Sequence, residues 1–191
     1  MEKETETHQT PMISSSKEPV YLRALELSDL DQTFKWHNDP KLYESLVAPF
    51  RPTNRAAEED WLRKAMSWSP SAVNFAICSV ERGAHLGNIY LRDIDSISRR
   101  GELHILIGEA EQRGQGFGSA AVRLLINYAF RDIGLKRLWL QVLADNAVAI
   151  RVYQKCGFAV EGRLKNHAFK NGAYKDVLVM GICSHELEQG Q

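Results

Sequence analysis

Hydrophobic and polar positions along this chain switch between a period of two, the mark of strands, and one near 3.6, the mark of helices. Residues 1–19 follow neither. They are polar, include Ser14-Ser15-Ser16, and hold too little apolar surface to offset the entropy of ordering, so a disordered leader is expected there. Residues 20–25 (VYLRAL) read as a first strand. Ser28-Asp29 stands ready to cap a helix that Asn38-Asp39-Pro40 ends near His37. Beyond a loop with Pro49 and Pro52, Asn54 caps a second helix carrying Ala57, Trp61, Leu62 and Ala65 on one side. Residues 74–80 and 86–91 alternate as antiparallel strands around Gly83, and residues 102–107 (ELHILI) form another core strand.

The second half is patterned more strongly. A helix over about 117–132 sets Ala121, Leu124, Leu125, Tyr128 and Ala129 against Arg123, Asn127 and Arg131. Residues 137–143 read as a strand. Asp145-Asn146 opens a short helix, and Gly157 suits a left-handed cap at its end. Two last strands, about 158–169 and 173–184, flank Asn171-Gly172, a strong signal for a two-residue hairpin. Such a turn sets Phe169 opposite Tyr174 and His167 opposite Asp176. The order β-α-α-β-β-β-α-β-α-β-β describes an α+β fold: a mixed, mainly antiparallel twisted sheet flanked by helices. One domain is expected over 20–185, with a short tail over 186–191.

Composition narrows the function. Lys+Arg and Asp+Glu both number 24, so no basic excess argues for a nucleic-acid partner. No secretory leader and no bilayer-length apolar run appear, so no membrane partner is expected. Cys78, Cys156 and Cys183 are scattered, with no C-x-x-C pair. That spacing suits reduced thiols in the cytoplasm, without a metal site, and none lies in a motif that would activate it for an acyl-enzyme route.

The most informative stretch is a strand, then Arg113-Gly114-Gln115-Gly116-Phe117-Gly118-Ser119, then a helix. A helix start presents unpaired amides and a positive dipole end, and glycines clear side chains from them, so the place suits a diphosphate. Arg113 offers a charged donor at the rim. A tight turn without a ligand is the plain alternative. A P-loop lacks its Gly-Lys-Ser/Thr. The Gly116-x-Gly118-x-x-Ala121 spacing matches a dinucleotide fingerprint, but the strands before it are joined by hairpins and the acidic residue expected after the next strand is missing.

Arg113–Gly118 resembles the [Gln/Arg]-x-x-Gly-x-[Gly/Ala] motif of the GNAT superfamily of N-acetyltransferases. The block from Asn146 through Tyr153 to Gly157-Phe158 resembles the helix that follows in that family. Trp36-His37-Asn38-Asp39-Pro40, and the tail from Glu161 to Asp176, are similar to the RimJ/RimL branch, which includes spermidine acetyltransferases. The resemblance covers about 20–185. It implies acetyl-CoA as co-substrate, its pyrophosphate on the backbone of Arg113, Gly114, Gln115, Gly116, Phe117, Gly118 and Ser119. It implies that the strand around Leu106 and Ile107 pairs with the pantetheine arm, that Asn146 contacts that arm, and that the Tyr153 hydroxyl lies near the thioester sulfur. The acceptor it implies is a small-molecule amine, such as a polyamine or amino sugar, or a protein N-terminus. A homo-oligomer paired through the last strands or helices is compatible with it.

Aminolysis of a thioester needs a neutral amine, a polarised carbonyl and a proton for the leaving thiolate. Asn146, Ala149, Ile150 and Tyr153 share one helix face; Tyr153 is the candidate acid, with core packing and a hydroxyl bonded to a carbonyl as its plain alternative. The resemblance implies a base carboxylate on the 102–107 strand, for which Glu102 is the nearest match, a solvated or salt-bridged strand-end glutamate being its plain alternative. His104, on the same strand face, is a second candidate base. A cross-strand His167–Asp176 pair is a further option. Trp36 and Tyr43 stand between acceptor contact and packing, whereas Trp61 reads as core. Glu44, Glu58, Glu59 and Asp60 read first as a solvated face and second as an attraction for a cationic amine. A non-catalytic CoA-binding sensor module is the alternative from another class.

Overall fold

The computed structural model describes residues 12–185, so the expectations for residues 1–11 and for the 186–191 tail lie outside the described residues. The leader expectation is corrected over its last residues. Met12–Ile13 forms a short strand, β1, antiparallel to β2 (Val20–Ala24) in the register Met12↔Arg23 and Ile13↔Leu22. Glu18 also accepts from Arg123 at 2.6 and 2.7 Å, so contacts with the domain hold a segment whose composition argues against order.

Capping residues set the N-terminal helices. A 3-10 turn (Leu27–Asp29) leads into α1 (Leu30–His37). Pro40 ends α1 and also starts a short helix, α2 (Pro40–Tyr43), that the periodicity did not announce. Its fixed φ suits a first turn, and the Asp39 side chain accepts from the Lys41 amide at 2.9 Å. Asn54 caps α3 (Arg55–Met66) as expected, accepting from Ala57 N at 2.9 Å.

The strands β3 (Val73–Ser79), β4 (His85–Asp95) and β5 (Arg100–Ile107) follow. After them come α4 (Phe117–Arg131), β6 (Arg137–Leu143), α5 (Ala147–Lys155), β7 (Ala159–Lys170) and β8 (Ala173–Cys183). The eight strands form one sheet in the order β1-β2-β3-β4-β5-β6-β8-β7. Neighbours are antiparallel except β5 and β6, whose parallel pairing needs the crossover that α4 supplies.

Apolar alternation sorts the side chains onto two faces. Leu22, Ile77, Ile89, Leu103, Leu125, Leu138 and Met180 join one core shared with α4 and α5. Leu25, Leu62, Ala76 and Cys78 pack on the opposite face under α1 and α3, next to Trp36, Leu42 and Leu106. Each large side chain buried in this way contributes about 1.5–3 kcal/mol.

The pairing of β5 with β6 is short: Arg100↔Arg137, Gly101↔Leu138 and Glu102↔Trp139. Beyond it, β5 pairs only with β4 and β6 only with β8. The sheet therefore opens a seam toward the carboxyl ends of both strands. The glycine turn leaves one lip of that seam, and α5 starts at the other.

Candidate active site at the open seam

At the first lip, Gly114 (φ 78°) and Gly116 (φ 87°) adopt left-handed conformations that disfavour any side chain. A Cβ built on either meets nothing within 4 Å, so the glycines serve the backbone path and the space above it, not packing. Gly116 is the N-cap of α4 and provides no side-chain cap. Ser119 Oγ instead donates back to Gly116 O at 2.8 Å. The first-turn amides at Phe117, Gly118 and Ser119 therefore stand without a side-chain partner at the positive end of a 15-residue helix. Residues 113–116 are exposed. A diphosphate fits this cradle.

The neighbouring side chains do different things. Arg113 does not reach outward: its guanidinium donates to Ile107 O at 3.3 Å and Gly108 O at 3.1 Å, folding the turn back on the strand. Gln115 donates to Glu111 O, and Phe117 packs against the core. A Cβ at Gly108 would lie 1.9 Å from Trp36 Cε2. Trp36 is buried, and its Nε1 donates to Glu109 Oε1 at 3.1 Å. Glu109 also accepts from Lys35 at 2.6 Å; that bond, with the one from Trp36, holds its pKa below the carboxylate norm. Trp36 is thus a strut under the strand end, which is the packing half of its two readings.

At the second lip, Asn146 caps α5, accepting from Ala149 N at 3.1 Å, while its amide donates to Ser45 O at 3.1 Å. Ala149 and Ile150 pack on the core, and Tyr153, on the same face, is 9% exposed. No hydrogen bond to another described residue holds its hydroxyl. Burial, helped by Cys156, pushes the phenol up to about 12, so it keeps its proton across the physiological range.

Glu102 sits at the closed end of the seam, the last residue of β5 paired with β6. It is 8% exposed, and its Oε2 lies 3.3 Å from Nε2 of the more exposed His104. The sequence offered these two as rival bases; the structure brings them together. Across the ladder His104 faces Tyr90, and Glu102 faces Arg92.

The same sheet face carries a cavity that sequence reasoning did not assemble. His37, Tyr43, Arg51, Thr53, Ala57, Glu58 and Trp61 line about 270 Å³. Glu58 is only 2% exposed, so the solvated-face expectation fails for it, while Glu59 does pair with Arg63 at the surface, 2.6 Å away. Both Glu58 oxygens lie within 2.9 Å of His37 Nδ1. Trp61 is half-buried: it packs against the Leu25, Leu62, Ala76 and Cys78 cluster, as the core reading expects, and also lines the cavity, its ring edge-on to those of His37 and Tyr90. Behind it, Asp29 accepts from Arg23 at 2.7 and 2.8 Å. His85 Nδ1 is 3.2 Å from Asp29, near enough for a charge contact but misaligned for a hydrogen bond. Burial works to raise the Asp29 pKa, yet the hydrogen bonds from Arg23 and from the Glu26 amide, with His85 close by, hold it well below the carboxylate norm.

The last hairpin matches expectation at its tip and departs from it further down. Asn171 (φ 50°) and Gly172 (φ 79°) make the two-residue turn, with Phe169↔Tyr174 in register. A bulge between Leu164 and Ala168, with Asn166 at φ 53°, then breaks the predicted His167–Asp176 pair. Asp176 accepts from Arg163 at 2.6 Å and from the Asn166 amide at 2.8 Å instead.

A parallel strand pair opening at its carboxyl ends onto an uncapped, glycine-started helix and a buried tyrosine defines an acetyltransferase-type domain. The family model described as "Acetyltransferase (GNAT) domain" matches residues 20–159, and the chain belongs to that family. It is 36% identical over 104 residues to the spermidine N(1)-acetyltransferase of Escherichia coli (strain K12), a match covering 54% of this chain and 55% of that protein. The chain thus spans about half the length of that curated relative. It is 27% identical over 170 residues to the uncharacterized N-acetyltransferase p20 of Bacillus licheniformis, covering 88% of this chain and 95% of that protein. The structure of spermidine N-acetyltransferase from Vibrio cholerae in complex with CoA and spermine superposes with a TM-score of 0.81 at 27% identity, covering 88% of this chain and 97% of that one. Among the described residues no helix is long and apolar enough to cross a membrane.

Proposed function

We propose that the protein transfers the acetyl group of acetyl-CoA directly to a primary amine, and that the acceptor class is a polyamine. The observation that carries the first part is the seam: a strand edge without a neighbour beside an uncapped helix start whose Gly114 and Gly116 leave the space above them clear. Acetyl-CoA supplies an activated acyl group, whose carbonyl carbon bonds to the amine nitrogen as its bond to sulfur breaks. The free edge of β5 at Leu106 and Ile107, and Asn146 across the seam, are the residues to flank the pantetheine arm. Tyr153 is the acid. Its proton is retained at neutral pH until sulfur takes it, and a thiolate formed in the same dry surroundings is itself more basic than the usual 8.5 or so.

Releasing a proton from an ordinary alkylammonium at pH 7 costs about 4–5 kcal/mol. Glu102, through water and with His104 beside it, is the group we assign to receive that proton. For the acceptor, two spermidine acetyltransferases among the relatives favour a polyamine over a protein N-terminus or an amino sugar. The cavity lined by Glu58, Tyr43 and Trp61 supports the same choice, since a carboxylate and the faces of aromatic rings suit a cationic chain. Three free cysteines agree with work in the reducing cytoplasm.

The test is thiol release from acetyl-CoA on adding spermidine, spermine, amino sugars or peptides with free N-termini, with mass spectrometry of the products. Acetylated polyamine as the main product is expected. Turnover with peptides alone would overturn the acceptor assignment. Coenzyme A binding with no turnover on any amine would make the protein a sensor.

A further inference from the structure

The segment joining α2 to α3 runs from one side of the seam to the other. At its start, Tyr43 and Leu46 pack with Trp36, Leu42 and Leu106 on the β5 side. Val47 instead packs with Leu143, Leu164, Ala168 and Val177, all from β6, β7 and β8. Main-chain carbonyls of the segment are held from that far side. Asn146 donates to Ser45 O at 3.1 Å. Lys170, the last residue of β7, donates from Nζ to Tyr43 O at 2.9 Å and also to Ala48 O. Its ammonium makes no ion pair among the described residues. Burial lowers its pKa, so an ordinary salt bridge or free solvation is not what keeps it there.

We infer that Lys170 is a positioning residue for the amine side of the reaction: by pinning both ends of residues 43–48 across the seam, it fixes the Tyr43 ring in the wall of the Glu58 cavity. A lysine brings three hydrogens on a point-like head, enough to tie the Tyr43 and Ala48 carbonyls to one another's neighbourhood from the far side of the seam. The tight Asn171-Gly172 turn sets where that head stands, since Lys170 pairs with Ala173 beside it. Without the pin, Tyr43 keeps its edge contact with Phe50 (5.6 Å between centroids), the apolar contacts under it and the bond from the Leu46 amide to its carbonyl, but loses the tie from β7. The inference rests on the amine-acetyltransferase reading for its kinetic consequence, but not for its structural one.

The experiment compares Lys170→Met and Lys170→Arg with the parent chain by amide hydrogen exchange and by steady-state kinetics on the best amine. In Lys170→Met, exchange of residues 43–48 should quicken about tenfold while α4 keeps its protection. The KM for the amine should rise about fivefold or more with kcat and acetyl-CoA affinity little changed, the pattern of a lost binding contact. Lys170→Arg, which can still reach two carbonyls, should restore most of both. Unchanged exchange and KM in Lys170→Met, faster exchange throughout the chain, or an arginine variant no better than methionine would each overturn the inference. If the parent chain releases no thiol with any amine, the functional reading fails, and the exchange measurement still decides the role of Lys170.

Discussion

The two sides of the seam present opposite kinds of chemical group. On the glycine lip the groups on offer are main-chain amides, and the sequence contributes by removing side chains at Gly114 and Gly116. On the face proposed for the amine the available groups are side chains, brought by α1, α2, α3 and the loop between the last two, with Glu58 set against His37, and an Asp29–Arg23 pair nearby. A main-chain site should respond to backbone strain and ignore most charge changes. A side-chain site should do the reverse. Substitutions can break that contrast or sharpen it.

The largest expected effect is on the amine face. Asp29→Asn removes one partner of a buried ion pair and should cost about 3–5 kcal/mol of stability, measured by urea denaturation at pH 7. Because the folded-state pKa of Asp29 is depressed, its stabilisation is complete above its ordinary value of 3.8 and is lost as pH falls toward the folded value. The variant should therefore show a weaker acid slope than the parent below about pH 4. Next comes Tyr153→Phe, expected to lower kcat about a hundredfold with acetyl-CoA affinity retained, as measured by calorimetry. The phenol titrates near 12, so the parent kcat should rise with pH and show no alkaline fall below about pH 10.

Gly116→Ala tests the main-chain lip. Alanine at φ 87° carries about 1–2 kcal/mol of strain, so coenzyme A should bind about tenfold more weakly while the amine KM stays put. A shift in amine KM of the same size would erase the contrast. The smallest effect separates neighbours on α3. Glu59→Gln, in an exposed pair, should change stability by less than about 0.5 kcal/mol and leave kinetics alone, whereas Glu58→Gln should raise the amine KM.

The contrast also explains what was legible in the sequence. The glycine turn, the strand before it, α4, α5 and Tyr153 are local: their periodicity and their motif lie in one continuous stretch. The cavity draws on residues from His37 to Trp61, a span interrupted by a helix that Pro40 both forbids and begins. Nothing in the run Glu58-Glu59-Asp60 says which carboxylate turns inward; only the angle at which α3 lies on the sheet decides it. β1 is likewise set by tertiary pairing and not by its own two residues. At the hairpin, counting outward from Asn171-Gly172 holds through Ala168↔Lys175 and fails at the next step, where a bulge, invisible to alternation, shifts the strand.

One consequence follows from how briefly β5 and β6 meet. Three residue pairs stitch two half-sheets that otherwise share only the helices and loops laid over them. A pantetheine arm lying along the gap would act as a removable strand, supplying rungs the polypeptide omits. If acetyl-CoA binds there as proposed, the protein's resistance to heat and proteases should rise with the concentration of that acyl donor.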